Sequence, residues 1–301
     1  MTNAIKWFAL VLIIAFAQPA TAKLNVFACE PEWGALAKEL GDHALNIYTA
    51  TTGKQDPHHI QARPSLLAKA RRADLLICTG AELEIGWLPI LLRKTGNPRI
   101  QPGRLGYFMA TDYVRLRDIP SYLDRSEGDI HASGNPHIQT DPRNIARVAK
   151  ALAQRLGELD SANAAHYQNH YQNFEQRWQA ALQRWEKLAA VLKGVPLVVH
   201  HNSWVYLEHW LGLKEIATLE PKPGIPPSSW HLAQILKQLK SQPAKMIIYA
   251  AYQESRPAHW LSQKAGLPVV ELPFTVGGTT EASDLFTLFD ETLKRLRGAL
   301  K

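Results

Sequence analysis

The chain is poor in sulfur, with two cysteines, Cys29 and Cys78, and three methionines among 301 residues. The cysteines lie too far apart to form a CxxC pair, which removes the zinc-ribbon and thioredoxin-like readings. There is no HExxH pair on a predicted helix, so the helical metalloprotease signature is missing too. Long blocks of like charge are also lacking. The 34 Lys and Arg and 27 Asp and Glu are scattered, for a formal charge of +7. A nucleic-acid-binding surface needs a concentrated basic patch, so that class is set aside. A dispersed basic surface suits a protein working beside an anionic membrane. There is no low-complexity tract and no long internal repeat.

Long apolar runs are absent with one exception. Residues 1–22, MTNAIKWFALVLIIAFAQPATA, carry Lys6, then an apolar stretch from Trp7 to Ala17, then Ala20-Thr21-Ala22. This order predicts a secretory signal peptide cleaved after Ala22. The stretch falls short of the roughly 20 residues a membrane span requires. An exported, periplasmic, soluble protein is expected. Export permits a disulfide. Cys29 and Cys78 each end a short apolar run, NVFAC and LLIC. Neighbouring parallel strands ending on one edge would bring the sulfurs together; the alternative is two small buried residues.

Strand and helix signals alternate along the rest. Strands are predicted at 24–30, 44–51 and 74–80, with helices at 32–42 and 65–73. The region from about 103 to 135 is irregular. A helix follows Asp141 as N-cap, with Pro142 in its first turn. From about 161 to 192, Tyr171, Phe174, Trp178, Leu182, Trp185, Ala189 and Leu192 recur at spacings of three and four, which is one face of a long helix. The alternation then restarts, with strands at 196–201, 246–251 and 268–273 and helices at 202–213, 228–242, 256–266 and near the end. The expected fold is α/β, two parallel-sheet lobes joined by one long backbone helix. The expected division is a signal peptide at 1–22, lobes at 23–160 and 193–301, and the linking helix at 161–192.

Three of the twelve histidines follow a common logic. His58 and His137 stand in an echoed motif, DPHHIQARPS and NPHIQTDPRN, and His201 ends the strand PLVVHH. Ligands of open α/β sheets bind beyond the carboxyl ends of strands. A proline directly before His58 and His137 restricts the backbone that carries each imidazole. Imidazole suits zinc. By itself this long-range pattern is also compatible with scattered surface histidines.

Further motifs give the pattern a family. They are Asp56-Pro57-His58 with Pro64-Ser65, Ala73-Asp74-Leu75 leading to Gly80 and Glu82-Leu83-Glu84, and Asn135-Pro136-His137 with Asp141-Pro142. His201-Asn202-Ser203-Trp204-Val205-Tyr206 with Gly212-Leu213 and Glu220-Pro221-Lys222-Pro223-Gly224-Ile225 with Pro227-Ser228 follow in order. Across essentially the whole chain after residue 22, this resembles the periplasmic solute-binding receptors of zinc and manganese ABC transporters. The resemblance implies a receptor that binds Zn²⁺ between two lobes and delivers it to a membrane ABC permease, as a monomer and without catalysis. The implied ligands are His58, His137 and His201, and a set of three histidines points to zinc more than manganese.

The chain departs from the family at the fourth ligand. Where the family has an aspartate in a D-P-L-G-like stretch, this chain reads VVELPFTVGG. Glu271 is the nearest carboxylate and the candidate fourth ligand. Water or chloride on an open position is the alternative, and Glu254 is a weaker candidate. The long histidine-rich loop of many members is reduced here to His131, read as a loop residue with an auxiliary ligand role as the minor alternative. His43, His166, His170, His209, His231 and His259 fall on predicted helices and are read as surface or packing residues. Trp33 and Trp204 are expected near the cleft, and His59 and His200 are expected to point away from the metal. Two other classes remain as alternatives, a zinc hydrolase with Glu254 or Glu271 as base and a receptor for manganese, iron or a non-metal solute.

Overall fold

The computed structural model describes residues 23–121, 128 and 131–300. The predicted signal peptide lies outside the described residues. The first lobe runs β1 (Leu24–Ala28), α1 (Pro31–Gly41), β2 (Leu45–Thr49), α2 (Pro64–Arg72), β3 (Leu75–Cys78), α3 (Leu88–Thr95) and β4 (Tyr107–Met109). Its four strands are parallel in the order β2-β1-β3-β4. Then come α4 (Pro142–Leu159) and α5 (Ala164–Ala189). The second lobe contains β5 (Pro196–Val199), α6 (Val205–Leu211), β6 (Lys214–Thr218), α7 (Ser229–Gln238), β7 (Met246–Ala250), α8 (Arg256–Ala265), β8 (Val269–Leu272) and α9 (Leu285–Gly298). Its strands, in the order β6-β5-β7-β8, are again all parallel.

The expected fold class holds. Helix α5 is flanked by 3-10 turns at Ser161–Asn163 and Ala190–Leu192, so the helical run between the lobes matches the sequence reading of 161–192. Three elements were not legible. Helix α3 is short, β4 has three residues, and β6 is an edge strand whose KEIAT carries charge at two leading, exposed positions. With one neighbour and solvent on its other side, β6 needs no apolar run.

Each sheet is covered on both faces, as parallel sheets require. In β1, Val26 and Ala28 face the central core while Phe27 and Cys29 face a separate cluster under α2 and α3. In β5, Leu197 and Val199 face the same central core and Val198 faces a cluster under α7 and α8. That central core is continuous through both lobes. Its middle is the buried stripe of α5, Phe174, Trp178 and Trp185, packed on Phe286 and Phe289 of α9. The backbone helix is therefore a shared core element, and its period of three and four exists because one face is buried along its length.

Strands β1 and β3 are adjacent, and a Cys29–Cys78 disulfide joins the residues at their carboxyl ends. Of the two sequence readings, the bridged one is realised. Beside it, Glu30, Glu32 and Glu84 are buried. Burial pushes all three carboxyls above the usual range, Glu32 and Glu84 to about 7. Thr79 and Gly80 donate backbone N–H groups to Glu84. The loop that wraps it holds Gly80, Ala81 and Glu82 at φ of 86°, 47° and 67°, a left-handed run that costs energy at the two non-glycine positions.

The lobes also touch directly. Glu32 of α1 accepts a hydrogen bond from Thr275 beyond β8. Asn135 Nδ2 donates to the carbonyl of Asn202 at 2.7 Å, and Tyr206 Oη donates to the carbonyl of Asn135 at 2.7 Å. At Gly53 a Cβ would stand 2.4 Å from the backbone nitrogen of Gly278, so only glycine permits that approach.

Candidate metal centre

The echoed sequence motifs fold into the same local structure. Asp56 Oδ1 accepts the N–H of His58 at 3.0 Å, and Asn135 Oδ1 accepts the N–H of His137 at 3.1 Å. Each is an Asx turn, and the intervening proline fixes the residue between. The shared [DN]-P-H is thus one device used twice to set the direction of an imidazole. Asp56 does more, since its Oδ1 also lies 2.7 Å from His58 Nδ1. Trp87 Nε1 anchors the turn by donating to the carbonyl of Pro57 at 3.0 Å.

His201 lies just beyond β5, the strand at which the second sheet's order reverses. Its Nδ1 is 2.6 Å from Glu220 Oε2, which also accepts the N–H of Gly224 at 2.8 Å. Carboxylates on Nδ1 of His58 and His201 hold the proton on that nitrogen and present Nε2 as a donor to a cation.

The three predicted imidazoles come together. Ring centroids lie 5.3 Å apart for His58 and His137, 6.0 Å for His58 and His201, and 5.8 Å for His137 and His201. A fourth ring joins them. His131 stands 5.4 Å from His58 and 6.3 Å from His137. His58, His131 and His137 each offer a nitrogen within 4.8 Å of the others, with His201 just outside this trio. Nε2 of His58, Nε2 of His131 and Nδ1 of His137 are buried without a hydrogen-bond partner. A buried unsatisfied nitrogen costs about 1–3 kcal/mol, and each of these three converging histidines carries one. Burial, reinforced by the neighbouring imidazoles, pushes His137 well below its ordinary value and His131 down to about 4. Both rings are neutral at physiological pH, the form that binds metal.

Glu271 does not join this convergence. In β8 it sits in register with Tyr249 of β7, whose hydroxyl donates to Glu271 Oε2 at 3.0 Å, and Lys54 Nζ lies 3.8 Å from Oε1. The period of two turns the carboxylate to that side. The stretch instead sends Phe274, at φ 64°, against His137 with ring centroids 5.5 Å apart. Glu254 is exposed and paired with Arg256 at 3.1 Å. The other candidate donor group, Cys29, Cys78 and Glu84, has its sulfurs closed in the disulfide.

Other expectations sort as follows. His59 is exposed, while His200 is buried with Nε2 3.7 Å from Glu220 Oε1. His166 and His170 bond the carbonyls of Gly41 and Glu39, satisfying the end of α1. Trp204 packs edge-on against Phe274, behind His137, whereas Trp33 is buried and donates to Thr79 Oγ1 at 2.8 Å. Two cavities open onto the histidines. One of about 600 Å³ reaches His58, His200 and His201, and one of about 230 Å³ reaches His131, His137 and His201.

Comparison with known proteins gives the chain a family and a fold. The chain is 24% identical over 249 residues to the high-affinity zinc uptake system protein ZnuA of Yersinia pestis, covering 75% of this chain and 74% of that protein. It is 22% identical over 261 residues to the manganese ABC transporter substrate-binding lipoprotein PsaA of Streptococcus pneumoniae, covering 84% and 80%. A crystal structure of ZnuA superposes with a TM-score of 0.77 at 19% identity, over 93% of this chain and all of that one; at that identity the likeness speaks for the fold. Residues 26–299 match the family described as zinc-uptake complex component A, periplasmic. The chain belongs to that family, the solute-binding receptors of metal ABC transporters, which has zinc and manganese members and is not a family of enzymes.

Proposed function

We propose that this protein captures Zn²⁺ in the periplasm between His58, His137 and His201 and delivers it to a membrane ABC permease. The observation that carries the reading is the convergence of imidazoles: His58, His131 and His137 each carry a buried unpaired nitrogen, and the His201 ring lies 6.0 Å from His58 and 5.8 Å from His137. Imidazole nitrogens at about 2.0–2.1 Å in a tetrahedron are a zinc site. Manganese and iron receptors on this scaffold are less well matched, because manganese favours carboxylate and other oxygen donors and both candidate carboxylates are engaged elsewhere. The same engagement leaves a hydrolytic reaction without a positioned base.

Because His58 and His137 come from the first lobe and His201 from the second, a bound ion ties the lobes together. Docking on the permease would release it by separating them. The test is metal analysis and calorimetric titration of purified protein. One equivalent of zinc is expected, bound more tightly than manganese. His137→Ala should lower zinc affinity by orders of magnitude. Zinc binding unchanged in that variant removes His137 from the site, and a tighter manganese complex in the parent protein overturns the zinc assignment.

A further inference from the structure

The trio whose donor nitrogens already converge is not the one the family motifs indicate. It is His58, His131 and His137, all from the first lobe, with His201 approaching from the second. We propose that His131 is the fourth metal ligand, closing an all-imidazole site in which Glu271 and solvent have no part. This rests on the reading of the site as a zinc site.

Four observations support the assignment. The Nε2 of His131 is buried and unpaired, and His131 is one of the three residues whose donors converge. The residue is held from behind, since its ring contacts the Ala81 backbone and the N–H of Ala132 donates to Glu82 Oε2 at 2.8 Å. Those anchors are the two non-glycine residues with positive φ in the turn after β3, and strain of this kind persists where the surroundings hold it. Finally, the small cavity is lined by His131, His137 and His201 together, and the position beside His137 in the second lobe is taken by the phenyl ring of Phe274. An apolar ring there offers no donor, so the fourth bond must come from elsewhere.

The geometry is within reach. A tetrahedral zinc–nitrogen sphere has donor-to-donor edges of about 3.4 Å, so nitrogens already within 4.8 Å close by small ring movements. Four neutral donors leave the ion's full charge uncompensated at the first contact, with Asp56 and Glu220 as the nearest anionic partners one bond removed. Such a set favours zinc and disfavours manganese.

X-ray absorption at the zinc edge tests this on the zinc-loaded parent protein without any substitution. Four imidazole nitrogens are expected, and three imidazoles with one light oxygen or chloride donor overturn the proposal. His131→Ala should then lose one imidazole, weaken zinc binding about ten- to a hundredfold and leave one equivalent bound. The apo variant should keep the parent's circular dichroism. An unchanged affinity and unchanged spectrum in His131→Ala, with binding lost in His137→Ala, defeats the fourth-ligand assignment while leaving the zinc receptor intact. A parent protein that takes up no zinc defeats both.

Discussion

Glu220 lies beside two histidines, with Oε2 2.6 Å from His201 Nδ1 and Oε1 3.7 Å from His200 Nε2. The carboxylate lies 19 residues beyond His201, in a proline-rich loop that β6 brings back beside the end of β5. Orientation of His201 therefore depends on a residue outside the imidazole cluster. Glu220→Gln removes the negative charge and the preference for a proton on Nδ1. Zinc affinity should fall about ten- to a hundredfold, measured by competition with a chromogenic chelator. An affinity within twofold of the parent would show that the carboxylate does not set the ring.

Asp56 serves His58 in the same way but also closes the turn that carries it. Asp56→Asn keeps the Asx turn and loses the charge, whereas Asp56→Ala loses both. Calorimetric zinc titration should rank the affinities parent, then Asn, then Ala. Equal losses in the two variants would assign the whole effect to charge.

Tyr206 sits between the lobes, accepting the N–H of Arg117 at 3.0 Å and donating to the carbonyl of Asn135, two residues before His137. Tyr206→Phe deletes both bonds and leaves a buried carbonyl short of a partner. A loss of about 1–3 kcal/mol in urea denaturation of the metal-free protein is expected.

The buried carboxylates give the metal-free protein a pH dependence of known sign. Burial raises Glu32 and Glu84 to about 7 in the folded state, against about 4.5 when unfolded. Their stabilising contribution is complete below the lower value and is lost as pH rises towards 7. Glu84→Gln keeps an oxygen for the N–H groups of Thr79 and Gly80 and needs no proton. Its thermal midpoint should decline less than the parent's between pH 5 and pH 8. A parallel decline in the two proteins would place the titrating group elsewhere.

The Cys29–Cys78 disulfide closes a loop between residues 49 apart. Reduction, or Cys29→Ser with Cys78→Ser, should cost roughly 2–4 kcal/mol of stability by urea denaturation. Zinc stoichiometry should stay at one, because the bridge stands at the β1 and β3 ends and not among the imidazoles.

The fold was largely legible because its elements announce themselves through burial. The stripe from Tyr171 to Leu192 has helical period because that face of α5 is sealed into the common core. Runs such as LLIC and MIIYA are apolar throughout because both faces of a parallel strand are covered. β6 escaped notice because an edge strand exposes half its surface. Among the histidines, the [DN]-P-H echo was legible because an Asx turn needs those residues in that order, and its two copies share one geometry.

The fourth imidazole was legible only as a minor alternative. His131 has no proline before it and no motif around it; the next residue, Ala132, is tied to the Glu82 carboxylate 50 residues away. Glu271 was drawn from a sequence position, and strand pairing with Tyr249 turned it aside. The sequence by itself determined two parallel sheets on a shared helix and which turns would carry His58, His137 and His201, since propensity, periodicity and turn chemistry are local. Which further imidazole joins the cluster was decided only by tertiary structure, because it depends on contacts between segments whose separation along the chain carries no periodic signal.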